Sequence, residues 1–292
     1  VGIIDIGSNT ARLLVAARAG SSIRALREER ALLQLGDEIE RFGGISELKL
    51  REAAERARVY ARVARELGCG TVEVIVTAPG RQSANADELV RGLERAAGAP
   101  VRVLTAEEEG RLAYEGAIAQ ARGLPGRAAV SDVGGGSTEV VVGPIAGEPE
   151  LCASVDVGSL RLTRRFLAAD PPGKKALRAA RREVEERFEG LDVPPAQAAL
   201  ATGGSARSLR RLTGRRRLGE KELAGAVKAI AGRPSTELAL ELELDPVRAR
   251  TLLAGALILA EVQRRIGLPL EVARGGLREG AAHALLAELA AA

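Results

Sequence analysis

Aromatic residues make up 2% of this 292-residue chain: three phenylalanines, two tyrosines and no tryptophan. Its cores must therefore be built from Leu, Val, Ile and Ala. The same scarcity removes the stacking platforms that hold single-stranded nucleic acids, so nucleic acid is not an expected partner. There is one histidine, His283, in a late apolar segment. Ser-His-Asp hydrolysis is therefore not expected, and any general base has to be a carboxylate. Cys69 and Cys152 are the only cysteines and lack metal-ligand spacing. No zinc site can be read, and two buried thiols in a reducing cytoplasm are expected. No run of about 18 apolar residues occurs, so neither a transmembrane helix nor a membrane partner is expected, and no secretory leader is visible. Methionine is absent and the chain opens directly in an apolar strand, so the natural start is expected to precede Val1.

What is present is arginine, glycine and a hydrophobic fraction of 46%. The length suggests about two domains, each large enough for a core of its own. No Pro/Gly/Ser-rich linker separates them. The net charge of +4 and the pI near 9.4 suit an anionic ligand, although most of the arginines are expected on solvated helix faces.

The pattern predicts strands at Val1–Ile6, Arg12–Ala17 and Ile23–Leu33, then a helix from Ser46, a plausible N-cap, to Leu67. A strand at Thr71–Thr77, a helix at Asn85–Ala97, a strand at Val101–Thr105 and a helix at Ala106–Gln120 complete the order βββαβαβα. The order then restarts with strands at Ala128–Val133, Thr138–Val142 and Leu151–Val157. Helices follow at Ser159–Ala168 and Lys174–Phe188, then a strand at Ala198–Ala201. A long helix is read over Asp245–Ile266, a short strand over Glu271–Ala273 and a last helix over Leu277–Leu289. The halves also match in detail. Ile3-Ile4-Asp5-Ile6-Gly7-Ser8-Asn9-Thr10 and Val130-Ser131-Asp132-Val133-Gly134-Gly135-Gly136-Ser137-Thr138 are each an apolar strand, Asp, an apolar residue and a Gly/Ser turn into a second strand. Seven residues after Asp5 comes Arg12, and seven after Asp132 comes Glu139. This indicates a duplicated domain: residues 1–122, then 123–292, with the last helix a candidate to pack back on the first domain. Two such domains facing each other would form a cleft with a glycine-rich hairpin on each wall.

Such turns supply consecutive backbone N–H groups that form an anion nest. Gly7, Ser8, Asn9 and Thr10 are phosphate-binding candidates, as are Gly134, Gly135, Gly136, Ser137 and Thr138. A third turn, Thr202-Gly203-Gly204-Ser205, follows a strand and opens a helix, so its N–H groups and helix dipole can also face an anion. It is not a P-loop, because no Gly-Lys-Ser/Thr follows.

On these residues the chain resembles the exopolyphosphatase/guanosine pentaphosphate phosphohydrolase family of the actin and sugar-kinase superfamily. Asp5 to Leu14 looks like the family's opening motif, and Thr77, Arg81 and Asn85 like its Thr-x-x-x-Arg-x-x-x-Asn segment. Glu108-Glu109-Gly110-Arg111-Leu112 resembles Glu-Glu-Ala-Arg-Leu, with Gly110 in place of Ala. Asp132 to Glu139, Thr202-Gly203-Gly204 and Gly276-Leu277-Arg278-Glu279-Gly280 match three more motifs. Pro79-Gly80 departs from the usual small and branched pair. The resemblance implies two actin-like, ribonuclease-H-like α/β domains and hydrolysis of a terminal phosphoanhydride.

A phosphoanhydride is activated but heavily anionic, so catalysis needs positioning, charge neutralisation and a placed water. Asp132 and Glu139, then Asp5, are candidate ligands for Mg²⁺, with Mn²⁺ an alternative. Glu109 is the expected base, favoured over Glu108 by the family comparison, and Glu107–Glu109 together also complement a helix dipole. Arg12 and Arg81 are expected to grip phosphate oxygens, with Arg207 and Arg278 as weaker candidates. Inorganic polyphosphate is the first expected substrate and guanosine pentaphosphate the second. A non-catalytic sensor of guanosine tetraphosphate and an actin-like kinase or ATPase are the remaining readings. A homodimer is left open. Longer family members continue into further helical domains, so short or medium polyphosphate chains are the expected preference here.

Overall fold

The computed structural model describes residues 1–20 and 22–291. The elements run β1 Gly2–Ile6, β2 Thr10–Ala19, β3 Ser22–Leu32, α1 Leu35–Phe42, α2 Glu47–Glu66, β4 Val72–Val76, α3 Ala78–Gln82, α4 Ala86–Ala97, β5 Val101–Val103 and α5 Ala106–Ala119. They continue β6 Arg127–Val133, β7 Thr138–Pro144, β8 Leu151–Val155, α6 Ser159–Phe166, α7 Lys174–Arg187, β9 Ala198–Thr202, α8 Gly203–Thr213, β10 Arg217–Leu218 and α9 Glu220–Ala231. The last elements are α10 Ser235–Glu241, α11 Pro246–Arg250, α12 Leu252–Ile266, β11 Leu270–Val272 and α13 Leu277–Ala291. Two compact units result. The first is residues 1–120 with the chain from Gly275 onward, and the second is Ala121–Arg274.

The duplication is explicit in the sheets. The first sheet has the order β3-β2-β1-β4-β5, and the second β10-β11-β9-β6-β7-β8. In both, the opening strand pairs antiparallel with the second and parallel with the fourth: β1 with β2 and β4, β6 with β7 and β9. Beyond the shared plan, β10 adds an edge strand to the second sheet. The middle strands read as apolar runs because helices cover both of their faces. In the first unit Ile4, Ile6, Leu13 and Val74 pack under α2 and α4, while Ile3, Leu14 and Ile75 pack under α5 and α13. In the second unit the core gathers Val140, Val142, Ala199 and Ala201 with the wholly apolar start of α12.

The structure departs locally from the sequence expectation at three places. Helix α1 follows Gln34 in the left-handed region and is only two turns long, with Leu35 and Ile39 as its buried stripe. The helix expected over Asp245–Ile266 is two helices meeting at Thr251, whose hydroxyl bonds back to the carbonyls of Val247 and Arg248, a bond that bends helices. Cys69 and Cys152 form no disulfide and are half-buried rather than buried.

Helix α13 lies against α5 in the first unit through glycine. A Cβ built on Gly280 would stand 1.9 Å from the Leu112 carbonyl oxygen, and one on Gly116 2.0 Å from that of Gly276. Arg278, expected near a ligand, is instead buried under α13. It donates to the Leu13 carbonyl and pairs with Glu28 at 3.1 Å, tying the helix to β2 and β3. The Gly-Leu-Arg-Glu-Gly motif is thus a helix-docking device. Gly280→Ala is expected to destabilise the protein by about 3 kcal/mol, because backbone cannot yield as a side chain does. Gly225→Ala in α9, where a Cβ meets nothing within 4 Å, should be neutral or stabilising by up to about 1 kcal/mol. Urea denaturation of the two variants measures the contrast.

Candidate active site

At the carboxyl ends of β1 and β6 the chain turns through the same hairpin. The register pairs Ile6–Ala11 and Val133–Thr138 each enclose four residues. Gly7 N–H donates to the Thr10 carbonyl and Gly134 N–H to the Ser137 carbonyl, both at 3.0 Å.

The remaining carbonyls of each turn are fastened from outside. The Gly134 oxygen accepts from the Ser159 amide at 2.9 Å and from its hydroxyl at 3.0 Å, and the Gly135 oxygen accepts from the amides of Leu160 and Arg161. These donors are the first turn of α6. In the first unit the Ser8 oxygen accepts from Gly36 N–H at 2.8 Å, and the Asn9 oxygen from the amides of Leu33 and Gln34. Across a trans peptide the C=O and the following N–H point in opposite directions. Fastening the carbonyls therefore aims the amides of Gly135 and Gly136, and that of Asn9, the other way. Among the described residues the amides of Gly135, Gly136 and Ser137 donate to no protein acceptor. The hairpin of the second unit is a nest of donors.

The third turn joins that nest within the second unit. Gly203 has φ +81° and opens α8, whose N-cap Thr202 supplies no side-chain cap. A Cβ on Gly203 would stand 2.4 Å from Asp132 Oδ1, and one on Gly204 2.4 Å from Arg248 Cζ. The uncapped first turn of α8 thus touches a carboxylate on one side and a guanidinium on the other. Arg248 lies on α11, outside every motif, and no sequence signal singles it out. The Thr202 hydroxyl is buried with no partner among the described residues.

Sheet register sets the carboxylates. Thr202, Asp132, Glu139 and Ser154 form one transverse row across β9, β6, β7 and β8. Glu139 is buried and accepts from the Ser154 hydroxyl at 2.9 Å. Two carboxylates directly opposite each other destabilise a sheet unless a positive charge comes between them. In the first unit the corresponding row is Ile75, Asp5, Arg12 and Arg30, so the carboxylate there faces arginine. Thr138, expected as a ligand donor, is fully buried and gives its hydroxyl to the Val157 carbonyl at 2.6 Å. It secures the strand instead. Ser205 is buried with its side chain against Gly255, which leaves only its amide for the third turn.

In the first unit, α5 separates the neighbouring carboxylates Glu108 and Glu109. Glu108 closes a capping box with Thr105: the Glu108 amide donates to the Thr105 hydroxyl at 3.1 Å, and the Thr105 amide to Glu108 Oε2 at 2.7 Å. The Thr-x-x-Glu spacing carries that signal. The Thr105 backbone bond, ahead of the other influences, holds the Glu108 carboxyl below the usual range. Glu109 is buried and accepts from Arg81 at 2.8 Å, while the other arm of Arg81 donates to the Leu104 carbonyl at 2.7 Å. Arg81, expected on phosphate, here positions Glu109. Asn85 of the same segment is structural, exchanging bonds with the backbone of Ile45 at 2.9 and 2.8 Å. Arg207 is exposed on α8.

A family model for the Ppx/GppA phosphatases matches residues 14–288. This chain belongs to the Ppx/GppA phosphatase family. It is accordingly a hydrolase, with the duplicated actin-like fold of that family. Among its relatives, exopolyphosphatase 1 of Mycobacterium tuberculosis is 29% identical over 298 aligned positions, covering 96% of this chain and 86% of that protein. The structure of the Aquifex aeolicus Ppx/GppA enzyme superposes with a TM-score of 0.82 at 25% identity, over 97% of this chain and 98% of that one. An exopolyphosphatase from Cytophaga hutchinsonii shares the fold, with a TM-score of 0.88 at 20% identity over 98% and 97% of the two chains.

The capping box makes a separable prediction. Thr105→Ala should cost about 1 kcal/mol of stability, and Glu108→Gln should remove a pH-dependent part. A carboxyl held low when folded stabilises above its unfolded pKa, near 4.3, and the benefit vanishes as pH falls through the folded value. The stability gap between wild type and Glu108→Gln, measured by urea denaturation, should be full at pH 6 and shrink steadily below about pH 4.

Proposed function

We propose that the chain is a metal-dependent exopolyphosphatase, releasing orthophosphate from the end of inorganic polyphosphate. The observation that carries this reading is the donor nest of Gly135, Gly136 and Ser137 beside the Asp132–Glu139 row. The nest and the first turn of α8 suit phosphate oxygens, because each presents N–H groups with no protein acceptor. Arg248 against Gly204 adds a guanidinium suited to phosphate. The exopolyphosphatase names of the mycobacterial relatives support the substrate class.

Asp132 and Glu139 fit a divalent cation. They are a like-charged opposed pair, and the described residues contain no cage of three or more protein ligands. Mg²⁺ suits such a site, since it binds through one or two carboxylates and takes the rest from phosphate and water. Mn²⁺ is an alternative. Asp5 is the weaker candidate because Arg12 stands opposite it. When bound, the cation would neutralise charge on the phosphate oxygens. Glu109 is assigned to orient and deprotonate the attacking water, held in place by Arg81. The proton passes to a Glu109 oxygen as the water oxygen bonds to phosphorus, and the shortened chain leaves with the electron pair of the broken P–O bond. The same chemistry on the 5′-phosphate of guanosine pentaphosphate is the second reading, favoured by the family's joint name.

Glu109→Gln should lower turnover by about 10²–10⁴-fold, with KM for polyphosphate little changed, whereas Glu108→Gln should keep activity and lose stability. Steady-state phosphate release with both variants checks the assignment; an inactive Glu108→Gln beside an active Glu109→Gln would reverse it. Chelation with EDTA should abolish release and added Mg²⁺ or Mn²⁺ should restore it. Full activity after rigorous chelation would remove the metal from the scheme.

A further inference from the structure

Helix α7 carries Lys174, Lys175, Arg178, Arg181 and Arg182, all exposed. They recur at spacings of three and four, so they share one face, opposite the buried Ala180 and Val184. None of the five has an ion-pair partner among the described residues. Helix α2 is different. On α2, equally rich in arginine, Glu47–Arg51, Lys49–Glu52, Glu55–Arg58 and Arg62–Glu66 are paired. The α7 arrangement opposes helix stability twice. From Lys174 to Arg182 like charges stand at i,i+3 and i,i+4, with acidic residues only from Glu183 onward, and cations occupy the positive end of the helix dipole, where α7 has no acidic residue and no side-chain cap. A stripe that works against its own helix is the mark of a surface kept for a ligand. Lys174 to Arg182 spans about 12 Å along the axis.

We propose that the outward face of α7 is a second binding surface for the body of a long polyphosphate chain, which it holds without taking part in the cleavage. The inference rests on the exopolyphosphatase reading for the identity of the polyanion. A regular row of unpaired cations complements a flexible polymer with a charge on every unit, and no aromatic residue lies on α7 to stack a base. The C-terminal end of the helix connects to the phosphate nest. Arg187 lies near Asp156, which pairs with Arg161, and the Arg161 amide donates to the Gly135 carbonyl. The stripe thus changes the expected preference for short chains: affinity grows with substrate length until the face is covered.

The test uses the full chain and the double variant Arg178→Gln/Arg182→Gln. Binding of a long polyphosphate is measured in EDTA by fluorescence anisotropy over a salt series, and KM is measured with Mg²⁺ for the long chain and for tripolyphosphate. The variant should bind the long chain about tenfold more weakly. Its log–log salt slope should be shallower by about 1.4, near 0.7 for each lost contact. KM for tripolyphosphate should not change, and the melting temperature should hold or rise as repulsion is relieved. Unchanged binding and slope would overturn the proposal. So would a lower melting temperature with tripolyphosphate equally affected, which marks a structural role. Single-stranded RNA displacing polyphosphate at equal phosphate concentration would also overturn it, making the face a nucleic-acid surface. If the wild type binds polyphosphate through the stripe but releases no phosphate, the hydrolytic reading fails and the binding surface stands. Normal hydrolysis with an indifferent double variant fails the surface alone.

Discussion

The structure depends on where the hairpin carbonyls go. A glycine turn left to itself samples many orientations, and its N–H groups aim nowhere in particular. Here the Gly134 and Gly135 carbonyls are held by the first turn of α6, and the Ser8 and Asn9 carbonyls by the chain leading into α1. Because the peptide is planar and trans, fixing one side fixes the other. The amides are aligned before any ligand arrives, so little ordering entropy remains to be lost on binding. The α6 amides that do the fastening would themselves attract an anion; their engagement by backbone carbonyls leaves the opposite side of the loop as the favoured anion position.

Duplication supplies two such turns, and divergence gives them different charge. One position on the second strand is Arg12 in the first unit and Glu139 in the second, each directly across from the strand aspartate. The first row carries a carboxylate beside a guanidinium, the second two carboxylates. The same backbone thus carries opposite charge at one position in its two copies.

Much of this is legible in the sequence, because the Asp-x-Gly turns, the strand order and the Ser46 cap are local signals. Buried strands and glycine turns are written in consecutive residues. The exceptions arise where a long-range contact decides. Arg248 reaches the third turn from α11, far along the chain, through a contact that no local pattern encodes. Thr138 reads as a loop donor until the chain just after β8 brings the Val157 carbonyl against its hydroxyl. Arg278 reads as a ligand group in a charged motif, and it is burial beneath α13 that assigns it to Glu28 and Leu13. The Thr105–Glu108 box lay in plain view as Thr-x-x-Glu, masked by three adjacent glutamates that all suit a helix start. The basic face of α7 is visible as a run in the sequence, but that its cations lack ion-pair partners among the described residues emerges only from the fold.

Phosphate release from polyphosphate, guanosine pentaphosphate and ATP, assayed side by side with Mg²⁺ at matched concentrations of terminal phosphate, tests the central claim most directly. The account predicts the highest kcat/KM for polyphosphate, with orthophosphate as the released product. Release from ATP alone, or from none of the three, would contradict it.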